Sequence, residues 1–249
     1  MSYSITKNTS LLTGASILQK LVSFVYFTLV ARFIGAEDTS QYFLALSFAL
    51  IFTVVADFGL TTVLTRESSK NPNSDQEYFI SIFWLKILLG GITYLLIIIF
   101  ANIFDYQLLT KHLIYVAGIT VFFDSLNSTN YAYLRAKKNL LYESIAVFTS
   151  QLVTLVVGSF VLFLKLPMIG LILAYTIPSF FNFWICSIFL HLKYNLRYHF
   201  KIKKDIIKMF LIIALPFALA GIINRLYSYT DTLIMSKLLT SAELGWWSV

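Results

Sequence analysis

The chain is short of charge. Asp, Glu, Lys and Arg make up 12% of its 249 residues, about half the share of a soluble globular domain. A water-facing surface needs more than that, which excludes a soluble fold for most of the chain. Cysteine occurs once, at Cys186 inside an apolar run, which excludes a disulfide framework and a cysteine-rich metal site and leaves a packing role. The three histidines, His112, His191 and His199, stand at span ends or in a loop, too scattered for a metal site. There is no Gly-rich phosphate loop, nucleophile elbow or paired set of catalytic carboxylates, so no nucleotide or other cofactor is implied. No segment of the sequence is expected to be a cleavable leader. The first apolar run carries Gln19 and Lys20 in its middle and ends without a small-residue cleavage site.

What is present in quantity is apolar surface. The chain is 58% hydrophobic with a mean hydropathy of +0.78, so its expected solvent is lipid. Seven spans of about twenty residues or more are expected over 11–33, 41–65, 78–101, 112–134, 143–164, 168–192 and 209–236, with an eighth beginning at Trp246 and cut off at Val249. Short polar connections separate them, at 35–40, 66–77, 102–111, 135–142 and 165–167. The longer connection at 193–208 mixes Tyr194, Leu196, Tyr198, Phe200 and Ile202 with six basic residues and reads as a membrane-surface segment among anionic headgroups.

The net charge of +7 belongs to orientation rather than to nucleic-acid binding, because most of it lies in short loops. With a cytoplasmic N-terminus, twelve basic residues fall inside: Lys7, Arg66, Lys70, Arg135, Lys137 and Lys138, then six more from Lys193 to Lys208. Only four fall outside, Arg32, Lys111, Lys165 and Lys237. The same bias disfavours a heptahelical receptor, whose N-terminus lies outside.

A weak internal repeat appears at an offset of 205 residues. Ala15-Ser-Ile-Leu-Gln-Lys-Leu-Val-Ser23 lies over Ala220-Gly-Ile-Ile-Asn-Arg-Leu-Tyr-Ser228, which puts Lys20 on Arg225, and further on Arg32 falls on Lys237 and Tyr42 on Trp247. A basic residue matching a basic residue at mid-span carries weight, because such residues are costly there. The expected organisation is a first lobe over 1–192, a basic linker over 193–208 and the start of a second lobe over 209–249. Six spans separate the repeats, so the two lobes share one orientation, with a substrate path between them.

Several stretches carry a family resemblance. Thr28-Leu-Val-Ala-Arg-Phe-Ile-Gly-Ala-Glu-Asp-Thr-Ser-Gln-Tyr42 resembles the first-hairpin turn of polysaccharide-type flippases, as does Ala56-Asp-Phe-Gly-Leu60 ahead of Thr65-Arg-Glu67. Ala214-Leu-Pro-Phe217, Tyr229-Thr-Asp-Thr-Leu-Ile234 and Glu243-Leu-Gly245 resemble the seventh span and its exit turn. Together they are similar to the Wzx-type O-antigen and repeat-unit flippases of the multidrug/oligosaccharidyl-lipid/polysaccharide exporter superfamily. The resemblance implies an all-α polytopic membrane helix bundle, the first six-helix lobe of a two-lobe flippase plus the start of the second, set in the plasma (inner) membrane. It implies as substrate an undecaprenyl-diphosphate-linked oligosaccharide used for surface polysaccharide such as lipopolysaccharide. Its partners would be the lipid bilayer and other polysaccharide-assembly membrane proteins, and one lobe alone is not expected to transport. Where the family carries an aspartate–arginine pair after the seventh span, this chain reads Asp231-Thr232.

Six ionisable residues fall within the spans: Lys20, Asp57, Lys86, Asp124, Arg225 and Asp231. Such groups face a water-filled cavity or one another. Lys20, Arg225 and Lys86 are candidates for a cationic cavity that binds a diphosphate. The competing expectation pairs Lys20 or Lys86 with Asp57 or Asp124. Asp57, Asp124 and Asp231 are candidates for ion coupling or charge pairing, and Asp57 alternatively neutralises Arg66 two turns on. Gly90-Gly91 and Gly14-Ala15 are expected to permit close helix contacts, and Pro178 and Pro216 to kink their helices. Two rival functions remain. A drug or metabolite antiporter favours acidic charge in its cavity. A glycan polymerase or glycosyltransferase carries its reacting residues in a large outside loop, and no loop here has that size.

Overall fold

The computed structural model describes the backbone of residues 2–200 and 202–247, with side chains from Thr9 onward except Ser241. The side chains of Lys7 and Lys201, and the residues Ser248 and Val249 of the expected eighth span, lie outside the described set. Among the described residues the secondary structure is entirely helical: α1 (Ser2–Ile51), α2 (Thr53–Asp57), α3 (Leu60–Lys70), α4 (Asp75–Ile103), α5 (Leu108–Ala136), α6 (Leu141–Phe163), α7 (Ile169–Tyr194), α8 (Lys204–Leu238) and α9 (Ser241–Trp247). The chain forms a polytopic all-α membrane bundle. Exposed residues such as Leu88, Leu95, Val156, Phe160, Ile188 and Ile223 clothe the long helices in apolar surface suited to lipid.

The long α1 is two spans, not one. Gly35 departs from helical geometry at φ 78° and ψ 173°, a conformation that only glycine adopts without strain. The chain folds back there. The Phe27 and Phe43 rings lie 4.8 Å apart, whereas an unbroken helix would separate those positions by about 24 Å. The turn is tighter than the polar connection expected over 35–40, because the polar residues after Gly35 already wind helically. Thr39 donates to Gly35 O at 2.5 Å, and Ser40 to Glu37 O at 2.6 Å.

The second span, expected to run unbroken over 41–65, is interrupted twice. The sharper break is at Phe58 (φ 46°) and Gly59 (φ 71°), two successive left-handed residues. Neighbouring helices hold it in place. Ser125 on α5 donates to Ala56 O at 3.0 Å, taking a carbonyl at the broken turn. On the other side α8 comes so close that a Cβ on Gly59 would sit 2.8 Å from Phe217 Cβ and 3.0 Å from Ala214 O. The remaining helices follow the expected spans to within a few residues at each end, and α7 and α8 stay helical through Pro178 and Pro216. Of the glycines singled out, Gly90 does allow close contact, with Phe122, whereas Gly14 and Gly91 face open space.

Polar contacts gather the loops at two opposite ends. At one end Lys137 pairs with Asp75, Lys203 with Glu77 at 2.6 Å, and Asn139 donates to the Tyr194 hydroxyl at 3.1 Å. These join the three loops expected to be cytoplasmic. The linker is anchored there too, turning two of its apolar residues inward. Leu196 is buried and Tyr198 packs on Phe79 and Phe83, while Phe200 stays exposed. At the other end Lys237 donates to Phe104 O and lies 4.3 Å from the centre of the Tyr106 ring, while Phe33 packs on Phe163 at 5.3 Å. The repeat offset carries Gly35 onto Thr240, where α8 also breaks. There Thr240 and Glu243 cap α9 reciprocally, and the Thr240 backbone N–H holds the Glu243 carboxyl below the usual carboxylate range.

The core is divided along the bundle axis. One apolar cluster centres on Leu60, Phe79, Tyr133 and Leu190, towards the basic end. The other centres on Tyr26, Phe48, Ile97, Leu113 and Ile172, towards the opposite end. On α4, α5, α6 and α7 the stretches between the two clusters carry Lys86, Asp124, Gln151 and Ser179. A polar belt therefore crosses the bundle at mid-height, where the bilayer is most apolar.

Candidate functional site

The belt is organised around Lys86. Its side chain is fully buried, and its Nζ donates to Asp57 Oδ1 at 2.6 Å, to Thr61 Oγ1 at 2.9 Å and to Ser128 Oγ at 2.9 Å. Three acceptors satisfy all three ammonium protons. Asp57 ends α2 and Thr61 opens α3, so the left-handed break brings both oxygens to the one charge. Thr61 also donates to Asp57, bridging the break. A buried cation survives only when paired and fully bonded, and this geometry provides both.

That arrangement is the one described by the pairing expectation for Lys86. It is the ion pair that forms, and Lys86 does not line the adjoining cavity. Asp57 pairs with Lys86 rather than neutralising Arg66, which reaches Glu67 instead at 3.5 Å.

The cavity beside the pair has a volume of 440 Å³ and lies between the α2–α3 break, α5 and α8. Asp57, Thr61, Asp124, Ser128, Asn224 and Arg225 supply its polar wall. Asp124 and Ser128 share one face of α5, one helical turn apart. Asp124 accepts from Ser179 Oγ at 2.6 Å and has no cationic partner among the described residues. Arg225 is half-buried, and its described contacts are with Tyr229: a 3.4 Å hydrogen bond to the hydroxyl, with the guanidinium 5.8 Å from the ring centre. No carboxylate neutralises it among the described residues.

Lys20 stands elsewhere. It lies on the exposed side of α1 and lines a separate groove of 320 Å³ with Tyr42 and Tyr175. A third space of 430 Å³ connects the two by shared walls, meeting the Lys20 groove at Ser23 and Tyr175 and the Arg225 cavity at Asp124 and Ser128. The two basic residues of the repeat thus mark the ends of a series of three cavities. Asp231 joins none of them; it is exposed and accepts from the next residue's backbone N–H at 2.7 Å.

The sequence model of a family described as polysaccharide biosynthesis protein matches residues 5–249. The chain belongs to that family. No curated protein sequence matches this family member, but solved structures show its fold. A MATE protein in complex with MaD5 superposes with a TM-score of 0.71 at 14% identity, over 88% of this chain and 53% of that one. An outward-facing multidrug-resistance MATE transporter of the MOP superfamily gives 0.61 at 15% identity, over 88% and 52%. A MOP superfamily transporter from Pyrococcus furiosus gives 0.59 at 14% identity, over 97% and 61%. It is described as having a binding pocket of reverse polarity that suggests a different function. The fold of this family member is therefore that of MOP-superfamily transporters, and the chain spans between half and two thirds of their length.

Among polar side chains within the spans the sequence reading singled out the ionisable ones as site candidates and passed over most of this family member's polar belt. Thr61 and Ser128 complete the coordination of Lys86, and Asn127, Gln151 and Asn182 line the connecting chamber. The signal was there to read: a carboxamide inside an apolar span needs a partner as a charge does.

Proposed function

We propose that the protein translocates a polyprenyl-diphosphate-linked oligosaccharide from the cytoplasmic to the outer leaflet of the plasma membrane, as the transporter of a lipid-linked intermediate in surface polysaccharide assembly. The observation that carries this reading is Arg225, a guanidinium in the cavity wall whose described partner is a phenol. A guanidinium without a carboxylate in a low-dielectric pocket is a ready partner for phosphate oxygens. The family description supports the polysaccharide connection, and the fold supports alternating access with the polar head in the cavity and the lipid tail in the bilayer. Lys20 stands at the far end of the cavity series as a second cation, and Asp124 is the acid available to an ion-coupling step.

Asp124 also favours a second reading, export of a cationic drug or metabolite, because it faces the same cavity without a cationic partner. One experiment separates the two. In the complete gene product, Arg225→Ala should abolish export of the lipid-linked glycan at normal protein level, Arg225→Lys should retain much of it, and Asp124→Asn should leave the glycan in the membrane recognised. Full export by Arg225→Ala, with loss of resistance to a cationic drug in Asp124→Asn, would favour the antiporter.

A further inference from the structure

The chamber between the Lys20 groove and the Arg225 cavity differs in chemistry from both. It occupies 430 Å³ among α1, α5, α6 and α7, within the range of small-molecule sites. Most such sites are largely apolar with a few polar groups. Here most of the lining residues carry neutral hydroxyls or carboxamides, among them Gln19, Ser150, Gln151, Asn127 and Asn182, and among the described residues Asp124 is the one ionisable acid or base apart from tyrosine hydroxyls.

Two of these side chains are more than nine-tenths buried and keep an unpartnered polar atom. Gln151 is 6% exposed and its Nε2 has no hydrogen-bond partner; Asn127 is 4% exposed and its Oδ1 has none. The other half of the Asn127 amide is fixed, since Nδ2 donates to Ser179 O at 2.9 Å. One donor and one acceptor therefore lie within the wall of the same chamber without protein partners, covered from its open space. Buried polar groups in a native fold are almost always satisfied, and mid-membrane apolar packing gives no reason to keep these two.

We propose that this chamber is the sugar subsite of the transport path. It takes a neutral or amino sugar bearing hydroxyl or N-acetyl groups, while the diphosphate of the same molecule lies on Arg225 beyond the wall formed by Asp124 and Ser128. The inference rests on the lipid-linked glycan reading above and adds which part of the substrate goes where. A hydroxyl is both donor and acceptor and an acetamido group offers one of each, matching the mixed donors and acceptors of the Gln, Asn and Ser side chains that line the chamber. Tyr175 gives the chamber an aromatic wall. Asp124 supplies selectivity by repulsion, because a uronic acid in the chamber would face a carboxylate that has no cationic partner among the described residues.

The test uses the complete gene product in lipid nanodiscs and three probes: farnesyl diphosphate, the same diphosphate bearing N-acetylglucosamine, and one bearing glucuronic acid. The N-acetylglucosamine probe should bind about tenfold more tightly than farnesyl diphosphate alone, and the glucuronic acid probe should lose that margin. Gln151→Leu and Asn127→Leu should each remove the margin while farnesyl diphosphate still binds within about twofold of the native protein. That retained binding also reports an intact fold, and Gln151→Met, close in volume, serves if the leucine variant fails to accumulate. Equal binding of all three probes, or leucine variants that keep the margin, would overturn the sugar subsite and leave the Arg225 reading standing. If no probe binds the native protein, the lipid-linked glycan reading fails and takes this subsite with it.

Discussion

Lys86 and Asp57 set the energetics at the scale of single residues. A lysine with no exposed surface is charged only because three oxygens replace its water. Removing one member of such a pair strands the other. Lys86→Ala should therefore destabilise the protein by about 3 kcal/mol, the lower end of the range for a broken buried pair, because a third of the Asp57 side chain (33%) still opens to the cavity. The check is protein abundance and the melting midpoint of the detergent-solubilised protein. Adding Asp57→Asn to Lys86→Ala should restore most of the loss, and a double variant as unstable as the single would contradict the pairing argument. Gly158 gives a second prediction of the same kind. A Cβ there would run into the ring of Tyr26, which is buried and bonds Leu171 O at 3.3 Å. Gly158→Ala should cost about 1–3 kcal/mol through overpacking, read as a lowered midpoint that Tyr26→Leu partly recovers. The sequence showed that Lys86 needed a partner but left Asp57 and Asp124 equally eligible. Choosing between them requires knowing which helix faces which, and hydropathy carries no such information when nearly every residue around a helix is apolar.

Among the elements, the two breaks in the first pair of spans do different work. Gly35 reverses the chain and so creates the hairpin; Phe58-Gly59 leaves the direction of the chain but ends one helix beside Lys86 and starts the next. The hairpin was legible, since polar residues between two apolar runs mark a turn, although its length was overestimated because residues after Gly35 are both polar and helical. The second break was visible only as the short motif Ala56-Asp-Phe-Gly-Leu60. An apolar run long enough to span gives no hint that two residues inside it are left-handed. Gly59→Ala tests the break. It combines a left-handed φ, costing about 1–2 kcal/mol for a residue with a Cβ, with collision against Phe217 and Ala214 of α8. The expected outcome is a lower melting midpoint together with loss of glycan export in the protein that remains, because α8 carries Arg225 and is packed on this break. Gly35→Ala should lower the midpoint by the backbone term alone, since a Cβ at Gly35 meets nothing within 4 Å. A Gly59→Ala protein with native midpoint and native export would mean that contact with α8 contributes nothing at Gly59.

For the whole molecule the decisive property is the separation of the two ends. Ion pairs and hydrogen bonds join the loops around Asp75, Lys137 and Lys203 at one end, and Lys237, Phe104 and Tyr106 meet at the other. The alternation of these loops along the chain was readable from span number alone, and the structure reproduces it. The proposed sidedness rests on charge: twelve of the sixteen loop lysines and arginines fall in the segments assigned to the first end, and basic loops are expected to stay cytoplasmic because translocating them against the membrane potential and away from anionic lipid is unfavourable. Single cysteines report this directly once the buried native Cys186 is replaced by serine. Cysteines at Ser69 and Arg197, both exposed at the basic end, should resist a membrane-impermeant thiol reagent in intact cells and label after permeabilisation. Cysteines at Gln107 and Leu166, exposed at the opposite end, should label in intact cells without it. The reverse pattern would invert the protein in the membrane and with it the proposed direction of transport. Labelling of one site from each end in intact cells would break the two-ended arrangement itself, on which the cavity series from Lys20 to Arg225 depends.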